Sequence, residues 1–120
     1  MEEEKLREQM IIANLKTDYK IWLSLGSKPV MGAGRYKMLK AISRTHSLKE
    51  TARLLNISYR TCQEYIKRME ERVGSEVVHT ERGGINAGGR ADLTELGRAM
   101  VKKFETIKAK VIIDDKRQVR

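Results

Sequence analysis

Residues 47–74 read SLKETARLLNISYRTCQEYIKRMEERVG and carry the signals of two short helices joined by a tight turn. Ser47 and Glu50 are spaced as a capping box, in which the serine hydroxyl and the glutamate carboxylate each satisfy a free backbone N–H. We expect this box to begin a helix that ends at Leu55. Ser58 is placed to cap the next helix, and the glycine at the end of the stretch suits the left-handed position that terminates one. Two capped helices with a turn of three to four residues between them predict a helix-turn-helix.

The second of these helices, from Ser58 to about Arg72, is predicted to be amphipathic. With about 100° between successive residues, one side forms an apolar stripe of Cys62, Tyr65, Ile66, Met69 and Val73. The opposite face carries Arg60, Glu64, Lys67 and Glu71, with Thr61, Gln63 and Arg68 at its margins. In the major groove, arginine and lysine suit guanine, glutamine suits adenine, and threonine can contact the thymine methyl group. The pattern therefore favours a DNA-reading helix, with an ordinary surface helix as the alternative.

Another helix is predicted before this pair, over residues 35–44, because apolar residues recur there with helical period. These residues are Tyr36, Met38, Leu39 and Ile42. Within the pair, Ala52 is small enough for two helices to cross closely, and Ile57 is expected to fill the turn. The predicted order is a leading helix followed by the helix-turn-helix.

A glycine-rich loop between two short strands is predicted after the helix-turn-helix. Residues 76–81 and 91–93 have strand character, and the loop from Arg82 to Arg90 holds four of the nine glycines. A strand, a loop and a strand after a recognition helix form the wing of a winged helix-turn-helix. Glycine backbone can approach a phosphate closely, and the two arginines supply positive charge. A merely flexible hairpin tip is the alternative.

The N-terminal part of the chain gives weaker signals. Residues 2–16 form a short helix in our prediction, with acidic residues at its positive end. Apolar residues alternate over 19–25, turn residues occupy 26–29, and Val30 begins a returning strand, so we expect a β-hairpin. Trp22 is expected to fill the gap between this hairpin and the helices.

The C-terminal part predicts a long helix with Thr94 as its cap. Its apolar residues step by four, four, three and four, and they are Leu96, Met100, Phe104, Ile107 and Val111. Such a narrow stripe is typical of a coiled-coil seam. We therefore expect a symmetric dimer, which would read two half-sites about 34 Å apart. Packing of this helix onto its own domain is the alternative.

The charge distribution favours a polyanion as partner. The chain of 120 residues has a formal net charge of +9. Residues 35–92 contain twelve basic and seven acidic side chains, and residues 98–120 contain eight and three. A basic block of this kind is typical of nucleic-acid binding, although solvated helix faces would also explain it.

Several other classes of protein are not expected. No apolar run approaches the ~18 residues of a membrane helix, and the acidic start differs from a secretory signal, so we expect a cytoplasmic protein. Cys62 is the one cysteine, which excludes an intrachain disulfide, and we expect it in the core. His46, in a turn, is expected to be exposed, and His79 to hold a plain strand position. Since no catalytic or metal-binding constellation is found, we expect no enzyme, no cofactor, no metal and no small-molecule effector.

Residues 32–97 resemble the N-terminal DNA-binding domain of the ModE family of molybdate-responsive transcriptional regulators, which is similar to the winged helix-turn-helix of LysR-like regulators. The resemblance is carried by GAGR at 32–35, LKAI at 39–42, SL at 47–48, ISYR at 57–60, GG at 83–84 and 88–89, and LTELG at 93–97. It implies a dimeric transcription factor in which Ser58, Tyr59 and Arg60 begin the DNA-reading helix and the helix from Thr94 takes part in dimerisation.

This sequence also departs from the ModE pattern. Family members often have alanine and tryptophan where Cys62 and Gln63 stand, and glycine where His46 stands, so base preference is expected to differ. The family's oxyanion-binding domains follow this region, and we do not expect molybdate sensing from these residues.

The segments and contacts expected from these observations are as follows. Residues 1–18 form an N-terminal extension, 19–93 the winged helix-turn-helix domain, 94–113 a dimerisation helix and 114–120 a basic tail. The residues expected at base edges are Arg60, Thr61, Gln63, Glu64 and Lys67. Those expected at phosphates are Lys49, Ser58, Tyr59 (partly packed) and Arg68, and those expected at the backbone or minor groove are Arg82 and Arg90.

Two other functions fit part of the pattern. An RNA-binding winged helix would share the basic surface, but it would normally add exposed aromatic residues for stacking, and aromatic residues are only 5% of this chain. A protein-interaction adaptor that has lost DNA binding is suggested by Glu64 and Glu71 on the reading face.

Overall fold

The computed structural model describes residues 1–81 and 89–118, with side chains of the last helix described to residue 112. In chain order the elements are α1 (Glu2–Asn14), β1 (Leu23–Leu25), β2 (Lys28–Met31), α2 (Ala33–Thr45), α3 (Leu48–Leu55), α4 (Tyr59–Val73), β3 (Val78–Thr80), β4 (Ala91–Leu93) and α5 (Glu95–Gln118). β1 pairs with β2 and β3 pairs with β4, both antiparallel. The predicted class is confirmed: a mainly α winged helix-turn-helix with a small N-terminal hairpin and a long C-terminal helix.

The core lies between α2, α3 and α4 and is closed by β2, the β3–β4 hairpin and α5. Its most deeply buried side chains are Met31, Met38, Leu39, Ile42, Thr51, Cys62, Met69, Val77 and Phe104. Cys62 has the predicted core position, and burial raises the pKa of its thiol, so the thiolate needed for redox chemistry is disfavoured. Ala52 is also buried, and Ile57 packs against the core from the turn, as expected.

Asn56 and Ile57 are suited to the turn between α3 and α4. Asn56 has a positive φ of 56°, a conformation that asparagine adopts more readily than most residues. The N–H of Ile57 reaches back to the carbonyl oxygen of Ala52 at 3.0 Å, a Schellman-type closure of α3. Ser58 then caps α4, since its Oγ accepts a hydrogen bond from the N–H of Thr61 at 2.9 Å.

The capping box at the start of α3 is only half formed. Ser47 Oγ accepts from the N–H of Glu50 at 3.0 Å, as predicted. The reciprocal bond is absent from the described structure, because the N–H of Ser47 donates to Oγ1 of Thr45. The Glu50 carboxylate instead pairs with Arg53 one turn along, and the hydrogen bond from Arg53 lowers the pKa of Glu50. The prediction of mutual capping was therefore wrong.

The N-terminal hairpin is shorter than the alternation over 19–25 predicted. β1 begins at Leu23, and the turn consists of Gly26 and Ser27, so Lys28 and Pro29 already pair with β1. α2 begins two residues after β2 ends, which leaves no strand to pair with residues 19–22. Trp22 accordingly remains 59% exposed and does not fill the predicted gap.

The junction of the β3–β4 hairpin with α5 depends on Thr94 and Gly97. Thr94 caps α5 by accepting the N–H of Gly97 at 3.1 Å, and its hydroxyl donates to the carbonyl oxygen of Glu76 at 2.8 Å. A Cβ at Gly97 would collide with the carbonyl oxygen of Val77 and approach Cβ of Leu93 to 3.3 Å. The helix can therefore approach the backbone of Val77, just before β3, only because residue 97 has no side chain.

α5 is joined to α2 by a small polar cluster beside an aromatic stack. The rings of Tyr36 and Phe104 stack with centroids 4.6 Å apart. The Tyr36 hydroxyl donates to Oε2 of Glu105 at 2.5 Å, and Lys40 Nζ lies 3.0 Å from the same oxygen. The hydrogen bonds from Tyr36 and then Lys40 lower the pKa of Glu105, so the carboxylate is ionised where it holds the two helices together.

The molecule is elongated, because its terminal helices extend beyond the core. The radius of gyration is 19.8 Å, whereas a compact chain of this length has about 14 Å. α1 has no buried residue, and it ends two residues before the predicted residue 16. α5 continues to Gln118, beyond the predicted residue 113.

We expect Gly97→Ala to lower the free energy of unfolding by about 1–3 kcal/mol, since the new methyl group must displace the backbone of Val77 just before β3. Urea denaturation followed by circular dichroism measures the change. Gly34→Ala is the matched control, because that glycine also lies in a helix but has no atom within 4 Å of the added Cβ. The control should be neutral or stabilising by up to ~1 kcal/mol, and equal losses in both variants would contradict the packing argument.

Candidate nucleic-acid interface

The predicted reading face of α4 is open to solvent. The side chain of Arg60 is 88% exposed, and the exposed positions continue along the helix at Gln63, Glu64, Lys67, Arg68 and Glu71. The opposite side of the helix is held in the core through Cys62, Ile66 and Met69. α4 is therefore anchored on one side and presents on the other a polar surface in which three basic side chains outnumber two acidic ones.

The N-terminal end of α4 projects partly free side chains. Tyr59 is 42% exposed, consistent with the partial packing expected of it. The hydroxyl of Ser58 donates to Oγ1 of Thr61 at 2.8 Å, and Thr61 is half-buried. The first turn has no acidic residue, so the positive end of the helix dipole is not offset there. This end of α4 is electrostatically suited to an anion.

Charges on the reading face are only partly compensated. Arg60 Nε lies 3.5 Å from Oε1 of Glu64, and an exposed pair of this kind is weak. Within the described residues, no carboxylate comes within salt-bridge distance of Lys67 or Arg68. Lys49, in the first turn of α3, is also exposed. The exposed surface of the two helices is therefore positive in sum.

The base of the wing is tied to the end of α2 by Asp92. The carboxylate of Asp92 accepts from Arg90 Nε at 2.9 Å and from the Nδ1–H of His46 at 2.7 Å. The hydrogen bond from Arg90, and to a smaller extent that from His46, lowers the pKa of Asp92. The backbone adds a further link, since the N–H of Ala91 donates to the carbonyl oxygen of His46 at 2.9 Å. Arg90 is therefore held at the wing base, whereas Arg82 and most of the glycine-rich tip lie outside the described residues.

The roles of His46 and Asp92 were missed from the sequence. His46 was expected to face solvent, but it is half-buried in a left-handed conformation with φ of 55° and bonded to Asp92. The two residues are 46 positions apart, so no local spacing indicated their contact. His79 is exposed in β3 as expected, and it pairs with Glu76 at 3.0 Å.

The predicted dimerisation stripe of α5 divides into two parts. Met100 and Phe104 are buried in the core of their own chain. Leu96 and Ile107 are 37% and 38% exposed, and Val111 is half-buried. The centre of the stripe therefore packs onto its own domain, which was the alternative for this helix. Leu96 and Ile107, before and after this centre, remain accessible.

Comparison with known proteins agrees with this fold. The family described as "Helix-turn-helix domain" matches residues 35–76, which include most of α2 and all of α3 and α4. The structure of the E41A mutant of ZitR from Lactococcus lactis is similar, with a TM-score of 0.54 and 17% sequence identity. The aligned region covers 97% of this chain and 78% of the ZitR chain. The wild-type ZitR complex with DNA has a TM-score of 0.52 and 18% identity. The chain thus contains a helix-turn-helix domain within a winged-helix fold.

Two proteins of Rhodobacter capsulatus are similar in sequence. The molybdenum-pterin-binding protein MopB is 36% identical over 81 residues, which are 68% of this chain and 30% of MopB. The molybdenum-pterin-binding protein MopA is 29% identical over 99 residues, which are 82% of this chain and 35% of MopA. The chain spans about a third of the length of these relatives.

Two negative observations hold for the described ranges. The side chains described in residues 1–81 and 89–112 include no group of three or more histidine, cysteine, aspartate or glutamate residues placed to hold a metal ion. In the same part of the chain, no helix is both long and apolar enough to cross a membrane.

We expect Asp92→Asn to lower the free energy of unfolding at neutral pH and to remove part of its dependence on acid pH. Because the folded-state pKa of Asp92 is lowered, its contribution is present above its unfolded pKa of about 4 and is lost as the pH falls through the folded value. Urea denaturation at a series of pH values measures this. Asp18→Asn, in the exposed linker, makes the same charge change as a control. A wild-type advantage over Asp92→Asn that persists undiminished in strong acid would contradict the assignment.

Proposed function

We propose that this protein binds double-stranded DNA in a sequence-specific manner and regulates transcription. The observation that carries the proposal is the exposed basic face of α4, which stands as the second helix of a helix-turn-helix and is backed by a buried apolar stripe. In such domains the second helix enters the major groove, whose width admits an α-helix. The DNA complex among the similar ZitR structures supports this assignment.

The residues of the helix-turn-helix divide into two roles in this proposal. Side chains on the reading face contact base edges, namely Arg60, Thr61, Gln63, Glu64 and Lys67. Groups at the margins fix the helix on the backbone, namely Lys49, Ser58, Tyr59 and Arg68. Glu64 has a double role, because its contact with Arg60 orients that guanidinium and its carboxylate can accept a hydrogen bond from cytosine.

The wing supplies a second contact in the proposal. Arg90 is oriented by Asp92 but keeps N–H donors, since a guanidinium has five. We assign Arg90 to the phosphate backbone or the minor groove, together with Arg82, which lies outside the described residues. The link from Asp92 to His46 fixes this contact at the end of α2, which belongs to the same core as α4.

We further propose that the chain corresponds to the DNA-binding part of a ModE-type regulator. The ISYR and LTELG motifs, the fold and the similarity to MopA and MopB support this. Residues 1–18, 19–93, 94–113 and 114–120 would then be the extension, the DNA-binding domain, the dimerisation helix and the basic tail. Since the shared region is about a third of MopA and MopB, the binding of molybdenum-pterin is not carried over to these residues.

A homodimer is part of the proposal. Leu96 and Ile107 on α5 remain accessible, and α1 exposes Leu6, Met10, Ile11 and Ile12. Apolar side chains exposed next to one another on a helix, as on α1, are typical of an interaction surface. A second copy would cover them and place two reading helices on successive half-sites.

The central experiment measures binding of the whole chain to labelled random-sequence duplex at low salt by mobility shift. We expect the duplex to be retarded and the affinity to fall steeply with salt. Selection of bound duplexes from a random pool should then yield a preferred site. A chain that leaves duplex unshifted acts as an adaptor, and one from which single-stranded RNA displaces duplex is an RNA-binding protein; either result refutes the proposal.

Substitutions at Gln63 and Lys49 should separate base reading from phosphate binding. Gln63→Ala should relax the choice of base at one position of the selected site, by about 1–3 kcal/mol. Lys49→Ala should weaken binding to every sequence alike and lower the salt slope by about one. Fluorescence anisotropy on the selected site and its single-base variants measures both. Uniform losses from both substitutions would show that the two roles are wrongly divided.

The dimer can be tested at Ile107. A charge placed there should be excluded from an apolar interface, so Ile107→Glu should shift the chain from dimer to monomer. Sedimentation equilibrium gives the mass directly. Thr106→Glu introduces the same charge at the adjacent exposed position and should leave the dimer intact. A wild-type chain that is monomeric throughout the measured concentration range refutes this part of the proposal.

A further inference from the structure

A row of positive side chains lies on the flank of α4 that faces the first hairpin. Tyr65, Arg68 and Arg72 are three and four residues apart, so they share one side of the helix. Arg35, from the first turn of α2, has its guanidinium carbon 5.3 Å from the centroid of the Tyr65 ring. Three cations from two helices thus converge, and we call Arg35, Arg68 and Arg72 the arginine flank.

Two of these guanidinium groups are held by neighbouring carbonyl groups of β2. Nη1 of Arg35 donates to the carbonyl oxygen of Val30 at 3.1 Å. Nη1 of Arg72 donates to the carbonyl oxygen of Pro29. Each bond uses one of five N–H donors, so several remain for a ligand. The hairpin therefore orients two cations side by side without neutralising either.

The flank is unfavourable without an anion. Burial, followed by the charges of Arg72 and Arg68, lowers the pKa of Arg35. Arg35 also lies at the positive end of the α2 dipole, where a cation is disfavoured. Among the residues that the structure describes, no carboxylate forms a salt bridge with any of the three. The contacts with β2 and Tyr65 leave the repulsion among the three cations in place, whereas a bound anion would offset it.

We propose that the arginine flank binds a phosphodiester of the DNA backbone at the hairpin side of the major groove. This inference rests on the proposed function. A recognition helix that fills the groove turns its flanks towards the two phosphate backbones, and Arg68 lies where the flank meets the reading face. Oriented guanidinium groups match phosphate oxygens in a bidentate manner. Arg35 and Arg72, which lie outside the predicted interface, thus become phosphate contacts, and the first hairpin becomes their positioning element.

The test replaces each arginine with glutamine, which keeps an N–H donor and removes the charge. The logarithm of the binding constant for duplex DNA is measured against the logarithm of salt concentration for the whole chain. Arg35→Gln and Arg72→Gln should each lower the slope by about 0.9. Between about 50 and 200 mM salt, each variant should therefore lose roughly threefold less affinity than the wild type does. Lysine at either position should restore the slope, because it restores the charge.

Arg98→Gln is the matched control. Arg98 is also an exposed arginine that donates to a backbone carbonyl, that of Leu93 at 2.8 Å, but it lies in the first turn of α5 outside the flank. Arg98→Gln makes the same change in net charge and should leave the salt dependence of DNA binding at the wild-type slope. Circular dichroism checks that the variants are folded. Slopes for Arg35→Gln and Arg72→Gln that equal the Arg98→Gln slope overturn the inference.

A second readout separates this inference from the proposed function. Inorganic pyrophosphate is titrated into the wild-type chain while the Nε–Hε signals of its arginines are followed by nuclear magnetic resonance. Saturable shifts at Arg35 and Arg72, but not at Arg98, support a phosphate site. If the wild type does not bind duplex and pyrophosphate still shifts these signals, the proposed function and the DNA assignment fail while the anion site stands. If duplex is bound but the slopes and signals do not change, the arginine flank alone is refuted.

Discussion

The burial of one side of α4 is the constraint on which the rest of this structure depends. Cys62, Ile66 and Met69 lie in the core, and this contact sets the rotation of the helix about its own axis. Because that rotation is set, Arg60 and Lys67 point away from the protein. Any other rotation would bury polar side chains of α4 without hydrogen-bond partners, which costs free energy. Burial of the apolar stripe and exposure of the basic side chains therefore follow from one packing arrangement.

Several polar contacts carry this orientation from α4 to the wing and to α5. Oε2 of Glu70 accepts the N–H of Val77 at 2.7 Å, which joins the end of α4 to the strand that begins the wing. Thr94 and Gly97 then hold the start of α5 against Glu76 and Val77, which lie just before that strand. On the other side, Asp92 joins the wing to the end of α2. α4 and the wing base are thereby attached to one core at several points, and the proposed docking of both into a DNA groove would require such fixed positions.

The sequence was informative wherever a structure is specified by residues close together in the chain. The helical period of α2 and α4, the caps at Ser47 and Ser58, and the strand at 91–93 were all predicted within a few residues. The failures have a common origin. Alternation over 19–25 indicates a strand, but a strand needs a partner, and the early start of α2 removes it; Trp22 is exposed for the same reason. Local spacing likewise favoured a hydrogen bond from the Ser47 N–H to the Glu50 carboxylate, whereas that N–H donates to Thr45 and the carboxylate pairs with Arg53.

By itself the sequence determined the helices, their caps, the amphipathic face of α4 and the excess of basic residues, because periodicity and capping depend on residues within about four positions of one another. Only the tertiary structure decided which distant side chains meet. Asp92 contacts His46, Arg35 lies over Tyr65, and Gly97 approaches the backbone of Val77. Such contacts follow from strand register and helix packing, which involve the whole chain at once, so no local pattern encodes them.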